Sequence, residues 1–322
     1  MKQWASGDPV SSANLNSTFE ADAYVVAGAS PNGNIYATIQ AAINAGRKNI
    51  LVAPGEHTAF SLPASALGTG VRIRGERPAT INPSAGVCAR IVGQVTIDGD
   101  HNTLEQLAWK SEASHSVVVQ GAASHNLIMR CTAYACGTGF RYRSNGVGNR
   151  YTASRIEGCA NGMIVSASGT GAFTYSTIDH NEILNSEGHG ILVSGFGVDD
   201  ITVGRNIVLA YNHIDRASQE WSSSGIRIED RAGAVIVGNR IRNCGTSSIY
   251  SDGILVDAPA AFTRTLVIGN FCVGNYGVGI RTSGPTSQVV VSGNSSSQNS
   301  VGQYANLSSS PGYATGSFGT NA

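Results

Sequence analysis

Between Gly188 and Ser300 one pattern recurs four times: a glycine, then apolar and polar positions in alternation, then a valine-rich run. The segments read GHGILV, SGIRIE, DGILVD and GVGIRT, and three of the runs that follow end VGN, IGN and SGN. The opening glycines, Gly190, Gly225, Gly253 and Gly279, lie 35, 28 and 26 residues apart. Alternation with period two predicts strands, and a repeat of this length predicts a solenoid in which each coil packs only on its neighbours. Counting the glycine as zero, positions one and three hold Ile191/Val193, Ile226/Ile228, Ile254/Val256 and Ile280/Thr282, which are expected to face the core. Positions two and four then face outward. Position two carries Leu192, Arg227, Leu255 and Arg281, and position four carries Ser194, Glu229, Asp257 and Ser283.

Weaker versions of the pattern precede these, at 70–81, 89–99, 115–130, 137–156 and 161–178, for about nine or ten coils in all. At ~4.8 Å per strand the rod would be roughly 45 Å long. Upstream the period changes: Ile35, Ile39 and Ile43 recur every fourth residue before Gly46, which predicts an amphipathic helix over Tyr36 to Ala45 that caps the open end of the stack. Asn206, Asn239, Asn270 and Asn294 at strand ends, and Asn212, Asn243, Asn275 and Asn299 a few residues later, are expected to stack into amide ladders. The predicted fold class is all-β: a single-stranded right-handed parallel β-helix (solenoid) with an N-terminal capping α-helix. Its expected divisions are an N-terminal arm (1–33), the β-helix with its cap helix (34–300) and a C-terminal cap or tail (301–322).

Composition narrows the function. Forty glycines and only 13% charged residues suit short strands and many turns. The formal net charge is zero, three lysines occur and no basic run appears, so a nucleic-acid partner is not expected. Cys88, Cys131, Cys136, Cys159, Cys244 and Cys272 follow no metal or redox spacing and read as small core fillers without disulfides. No apolar run suits a signal peptide or a membrane span, so the expectation is no membrane insertion and, for work outside the cell, a carrier other than a cleaved signal.

The outward columns carry the candidate chemistry. Glu229 and Asp257 are expected side by side on adjacent strands, where two like charges disfavour joint ionisation and push one carboxyl toward its protonated form. An acid beside a carboxylate is the equipment for glycosidic cleavage. Flanking Arg227 and Arg281 could equally neutralise the pair on a solvated face. Just ahead of the glycines stand His189, Ser224 and Asp252, so His189 and Asp252 join Glu229 and Asp257 as catalytic candidates. Trp221 and Tyr250, in the loops of the two longest intervals, suit stacking on sugar faces beside Arg227 and Arg281. Glu229, Asp230 and Asp257 could bind Ca²⁺, yet no spacing demands a metal or other cofactor.

Three stretches resemble known families. The opening, a tryptophan, Gly-Asp, a polar spacer and Leu-Asn ahead of Phe19, resembles the short openings of phage tail-fibre and tailspike proteins. The helix, the strand NILV and Pro54-Gly55 look like the first coil of the pectate lyase superfamily. GHGILVSG and GIRIED, 38 residues on, look like the Gly-His-Gly and Arg-Ile-Lys strands of polygalacturonases, by which His189 and Arg227 would line the cleft. That likeness stops at the family's aspartates, since the two coils before His189 offer Thr138-Gly139 and Asn161-Gly162, and Glu229 replaces the lysine. The resemblances imply a tailspike-type polysaccharide depolymerase, a glycoside hydrolase acting on bacterial surface glycan. They further imply a homotrimer held to a phage tail by the N-terminal arm, on the virion or otherwise extracellular. A polysaccharide lyase and a non-catalytic glycan-binding fibre or adhesin stay open as alternatives.

Overall fold

The structure is a computed structural model describing residues 21–64, 70–80, 87–110, 115–144, 146–167, 175–195, 207–220, 223–230, 234–257, 265–283, 289–306 and 313–315. Successive coils each add strands to three sheets, which among the described residues hold thirteen, ten and ten strands. Strands pair in parallel with their counterparts one coil on, as where Arg227 faces Leu255 and Leu255 faces Arg281. The expected β-helix is therefore present, and its two ten-stranded sheets match the expected coil count.

The corners explain the Gly-Asn phrase. Between the first and second sheets the chain turns through one residue in the left-handed region, Arg130, Ala153, His180 and Tyr211 in successive coils and then Gly238, Gly269 and Gly293. Glycine takes that conformation without strain. After Arg130 and Ala153 come Cys131 and Ser154, and from His180 onward the next residue is the ladder asparagine. The backbone N–H and the side-chain amide of Asn181, Asn212, Asn239 and Asn270 each donate to the side-chain oxygen of the asparagine one coil on, at 2.8–3.1 Å, ending at Asn294. All five are buried. Amide ladders form as expected, but with different members: Asn212 stacks on Asn239, whereas Asn243 is a bend residue, exposed, that donates to Asp215. Asn206 lies outside the described residues. A separate ladder runs Asn102, Asn126, Asn149, and another joins Asn275 to Asn299.

Side chains at positions one and three fill one continuous core: Ile191, Val193, Ile226, Ile228, Ile254, Val256 and Ile280 are all 0% exposed. The glycine that opens each phrase is there for space. A Cβ on Gly190 would stand 2.5 Å from the carbonyl oxygen of Gly225, and one on Gly253 would stand 2.6 Å from that of Gly279.

At the N-terminal end the helix is shorter than expected, spanning Ile39–Asn44. Tyr36 instead belongs to strand Ile35–Tyr36, whose backbone pairs with Ala23–Val25, and Thr38 caps the helix by accepting the Ala41 N–H. Ile39, Ala42 and Ile43 are buried beneath the cap. Both expected boundaries fall inside the ladder. Ala23–Val25 pairs with Asn49–Val52, Gly302–Asn306 adds a strand to the third sheet, and Tyr313–Thr315 adds one to the first. Among the described residues no helix is long and apolar enough to cross a membrane.

The outer faces differ in chemistry. On the first sheet the C-terminal coils present an apolar column, Val208, Val235, Leu266 and Val290. The outer face of the third sheet gathers arginines, carboxylates and histidines.

Candidate functional site

Strands Ile191–Gly195, Ser224–Asp230, Asp252–Asp257 and Val278–Ser283 lie side by side in the third sheet. Their register puts Glu229 directly opposite Asp257 and Asp257 opposite Ser283, as the column count predicts. Alternation sends these side chains outward; Glu229, Asp257 and Ser283 are partly exposed, while Ser194 in the same column is buried.

The two carboxylates are not bare. Arg227 extends along its own strand so that Nε stands 2.7 Å from Glu229 Oε1, and its Nη2 lies 3.5 Å from Asp257 Oδ2. Ser283 Oγ donates to Asp257 Oδ1 at 2.6 Å. With Arg227 between them the two carboxylates form a carboxylate, guanidinium, carboxylate triad.

The group whose surroundings favour a proton is Asp252. It is 7% exposed, and burial raises its pKa above the usual carboxylate range despite the Val278 N–H and Arg281 beside it. Val278 N–H donates to Oδ1 at 2.7 Å and Arg281 Nη2 donates to the same oxygen at 3.1 Å. Arg281 Nε lies 2.9 Å from Oδ2, so one guanidinium faces both carboxyl oxygens. A buried acid beside an arginine recurs in this chain: Glu105 with Arg72, Asp179 with Arg150 and Asp215 with Arg242. Those pairs brace the coils. Asp252 differs from Asp179, where burial is outweighed by Arg150 and His180 and the carboxyl is held below its ordinary range.

His189 is fixed by the backbone. The Ser224 N–H of the next coil donates to Nδ1 at 3.2 Å, so the neutral ring carries its hydrogen on Nε2. Burial, helped by the charge of Arg227, pushes the imidazole down to about 4. The same duty is visible along this column. Asn161 Oδ1 accepts the His189 N–H, and Asp252 Oδ1 accepts the Val278 N–H. Each of these three side chains satisfies a backbone donor of the following coil, a role that sequence spacing did not reveal.

Arg227 is thus the hub, ion-paired with Glu229 and Asp257 and acting electrostatically on His189 and Asp252. Arg281 stays with Asp252. Tyr250 is 62% exposed two residues ahead of Asp252, and Trp221 lies outside the described residues, as does the side chain of Asp230. Sequence reasoning missed Ser283 as a partner of Asp257. It also missed His115, Arg141 and Arg143, which the register places on this same face.

Comparison with known proteins follows the architecture. No curated protein matches the chain. An alginate lyase from Paenibacillus sp. str. FPU-7 is similar at a TM-score of 0.59 and 16% identity, over 88% of this chain and 96% of that one. The catalytic domain of a GH87 α-1,3-glucanase gives a TM-score of 0.56 at 13% identity, over 93% and 69%. A periplasmic alginate epimerase gives 0.52 at 13% identity, over 85% and 69%. At such identities these likenesses establish the fold. The model of the family described as right handed beta helix region matches residues 93–258, which include His189, Arg227, Glu229, Asp252 and Asp257, and the chain belongs to that right-handed β-helix family.

Proposed function

We propose that the outer face of the third sheet is the cleft of a polysaccharide depolymerase, a glycoside hydrolase acting on bacterial surface glycan. The observation that carries this reading is the convergence on Arg227 of two partly exposed carboxylates, a buried carboxyl with a raised pKa and a neutral histidine. In this scheme Glu229 and Asp257, opposite each other on adjacent strands, serve as the acid and as the base or nucleophile at the glycosidic bond. Asp252, five residues back along its strand, acts with His189 further along the same face. Arg227, Arg281, Tyr250 and Trp221 hold sugar, and the Nε2–H of His189 donates to a hydroxyl. No metal or other cofactor enters the scheme.

Hydrolysis is favoured over lyase chemistry by the state of His189. To abstract a proton through Nε2 the ring must move its own hydrogen to Nδ1, where the Ser224 N–H already points. Solved structures of similar fold include a glucanase, an alginate lyase and an alginate epimerase, which supports a saccharide polymer as substrate. The tailspike-like setting belongs to the same proposal through the wording of residues 1–19: a homotrimer borne on a phage tail.

The test is reducing-end release from purified capsule or lipopolysaccharide. Glu229→Gln, Asp257→Asn and Asp252→Asn are each expected to lower the rate by roughly 10²–10⁴. If all three variants cleave as the wild type does, the site is misplaced. Product absorbing as an unsaturated uronate would mark a lyase instead. A second reading, a glycan-binding fibre that does not cleave, is favoured by the fact that Glu229, Asp257 and Asp252 each already have an arginine partner. It predicts saturable glycan binding with no new reducing ends.

A further inference from the structure

The apolar column on the outer face of the first sheet, Val208, Val235, Leu266 and Val290, has a second beside it. Ala210, Val237 and Ile268 occupy the next outward position on the same rungs. Leu266, Ile268 and Val290 are each 36–38% exposed, and Phe271, just past the corner that follows Ile268, is 39% exposed. At the matching corner two coils earlier, the ring of Tyr211 lies against Gly238 of the next coil. Of the eleven large apolar side chains exposed among the described residues, five are these. Exposed apolar residues scattered singly mean little, whereas a contiguous group marks a contact surface.

The same face changes character along the rod. In the N-terminal coils its outward positions carry Arg72, Glu105, Arg150 and Asp179, joined in ion pairs whose arginine side chains are more than half exposed. On strands Ile207–Ala210, Ala234–Val237, Thr265–Ile268 and Val289–Ser292 no outward position is charged. A charged partner finds no countercharge on these rungs, and a glycan finds few groups to hydrogen-bond. The partner that fits is a second copy of the same face. Its rungs repeat at the same ~4.8 Å, so side-chain rows of one copy lie in the grooves of the other, with the two sheets about 10 Å apart. Being uncharged, the face meets its own copy without like-charge repulsion, which the arginines of the N-terminal coils would suffer. Four rungs and two outward positions ~7 Å apart outline an apolar centre of roughly 200–300 Å². A stable interface covers about 800 Å² per partner, with such a centre inside a polar rim rich in aromatic residues and arginine. Thr177, Tyr211 and Arg240, whose guanidinium lies over the Phe271 ring, supply that rim.

We propose that the C-terminal coils of the first sheet are the surface through which copies of this chain associate, with Leu266 between Val235 and Val290 at its centre. This gives the homotrimer of the proposed function a contact face, on a different sheet from the candidate cleft. It rests on that reading for the number of copies alone; the face itself stands on the apolar columns.

The experiment is sedimentation equilibrium of the full chain over a hundredfold range of concentration, with urea unfolding to check that each variant is folded. The wild type is expected above the single-chain mass and to approach it on dilution. Leu266→Lys sets a charge into the contact from every copy and is expected to raise the dissociation constant at least tenfold. Val290→Lys is expected to do the same and keeps the test in force should the first variant fail to fold. In the separated chain both lysines reach water from partly exposed positions. Val92→Lys makes the same change at an exposed valine on the outer face of the second sheet and is expected to leave association unchanged. A wild type that keeps the single-chain mass throughout overturns the proposal, as does association indifferent to both patch substitutions or weakened equally by Val92→Lys. A single chain that instead binds neutral phospholipid vesicles through Leu266 gives the face to a membrane and overturns it too. A trimer broken by Leu266→Lys upholds both the face and the homotrimer. A dimer broken by it upholds the face and refutes the homotrimer, and a trimer that survives both substitutions refutes the face alone. Failure to cleave glycan alters none of these outcomes.

Discussion

His189→Asn probes the electrostatics of the third face through a ring whose tautomer the backbone has chosen. In the folded chain burial and Arg227 push the imidazole from 6.5 to about 4, whereas in the unfolded chain it titrates near ~6.5. Between those values the unfolded chain takes up a proton that the folded chain refuses. The stabilising effect is therefore complete above pH ~6.5 and is lost as pH falls toward ~4. At ~1.4 kcal/mol for each pH unit the loss reaches up to about 3 kcal/mol. Asparagine at 189 keeps an acceptor for the Ser224 N–H, as Asn161 does for the His189 N–H one coil earlier, and has nothing to titrate. The variant is expected within ~1 kcal/mol of the wild type at neutral pH and to gain on it steadily as the solution is acidified. His57, His115 and His213 are also lowered by burial, so it is the difference between the two proteins that isolates residue 189. His189→Leu strands the Ser224 N–H and should cost about 1–3 kcal/mol at every pH. Urea unfolding across the range gives the global value. Hydrogen exchange of the Ser224 amide gives the local one, and the ring's own titration is followed by NMR. An imidazole that titrates at its ordinary value, or identical acid dependence in the wild type and His189→Asn, would refute the reasoning.

The remaining expectations concern the scaffold. Asn239→Ala removes bonds from the Asn239 side chain to Leu209 O and Asn270 Oδ1, and strands two donors of Asn212; a loss of at least about 3 kcal/mol is expected in thermal or urea unfolding, and one below ~1 kcal/mol would count against the ladder as a main support. Gly225→Ala drives a Cβ into the Ile241 side chain and to 2.7 Å from Gly253 O, whereas Gly269 has open space and only a positive φ of 63°. The first variant should therefore fail to accumulate as folded protein, while Gly269→Ala should lose only about 1 kcal/mol, and the opposite order in a proteolysis assay would refute the steric account. All six thiols are buried, and burial pushes those of Cys131 and Cys244 up to about 12. A thiolate-selective reagent is expected to leave the native protein unlabelled and to modify all six in denaturant, and one fast-reacting native thiol would contradict this.

The coil was legible because alternation and period are both visible without knowing where the corners fall. The corners were less so. Sorting the asparagines by distance along the chain puts Asn206 with Asn239, but coils of 35, 28 and 26 residues cannot be aligned by distance. The physical marker is the left-handed bend one residue before each ladder asparagine. It is written as glycine at 238, 269 and 293 but as Tyr211 and His180 in the two coils before, where no sequence cue announces it. The cap helix was placed correctly and drawn too long, because the fourth-residue spacing of Ile35 counts toward a helix while its backbone is claimed by the strand Ala23–Val25.

At the candidate site, adjacency was readable and occupancy was not. Period-two alternation and matched phrases suffice to set Glu229 against Asp257, but nothing in spacing says that Arg227 pairs with both, or that burial raises the pKa of Asp252. The column ahead of the glycines explains why. Asn161, His189 and Asp252 each supply an acceptor to a backbone N–H of the next coil. That structural demand is met equally by an amide, an unprotonated ring nitrogen and a carboxylate. Two of the three also titrate. A β-helix can thus exchange an inert acceptor for a chemically active one at this position without surrendering the backbone bond, so the position alone does not distinguish a brace from a catalyst. The neighbourhood on the outer face sets His189 and Asp252 apart from Asn161: both lie within the field of Arg227, the residue that is also ion-paired with Glu229 and Asp257.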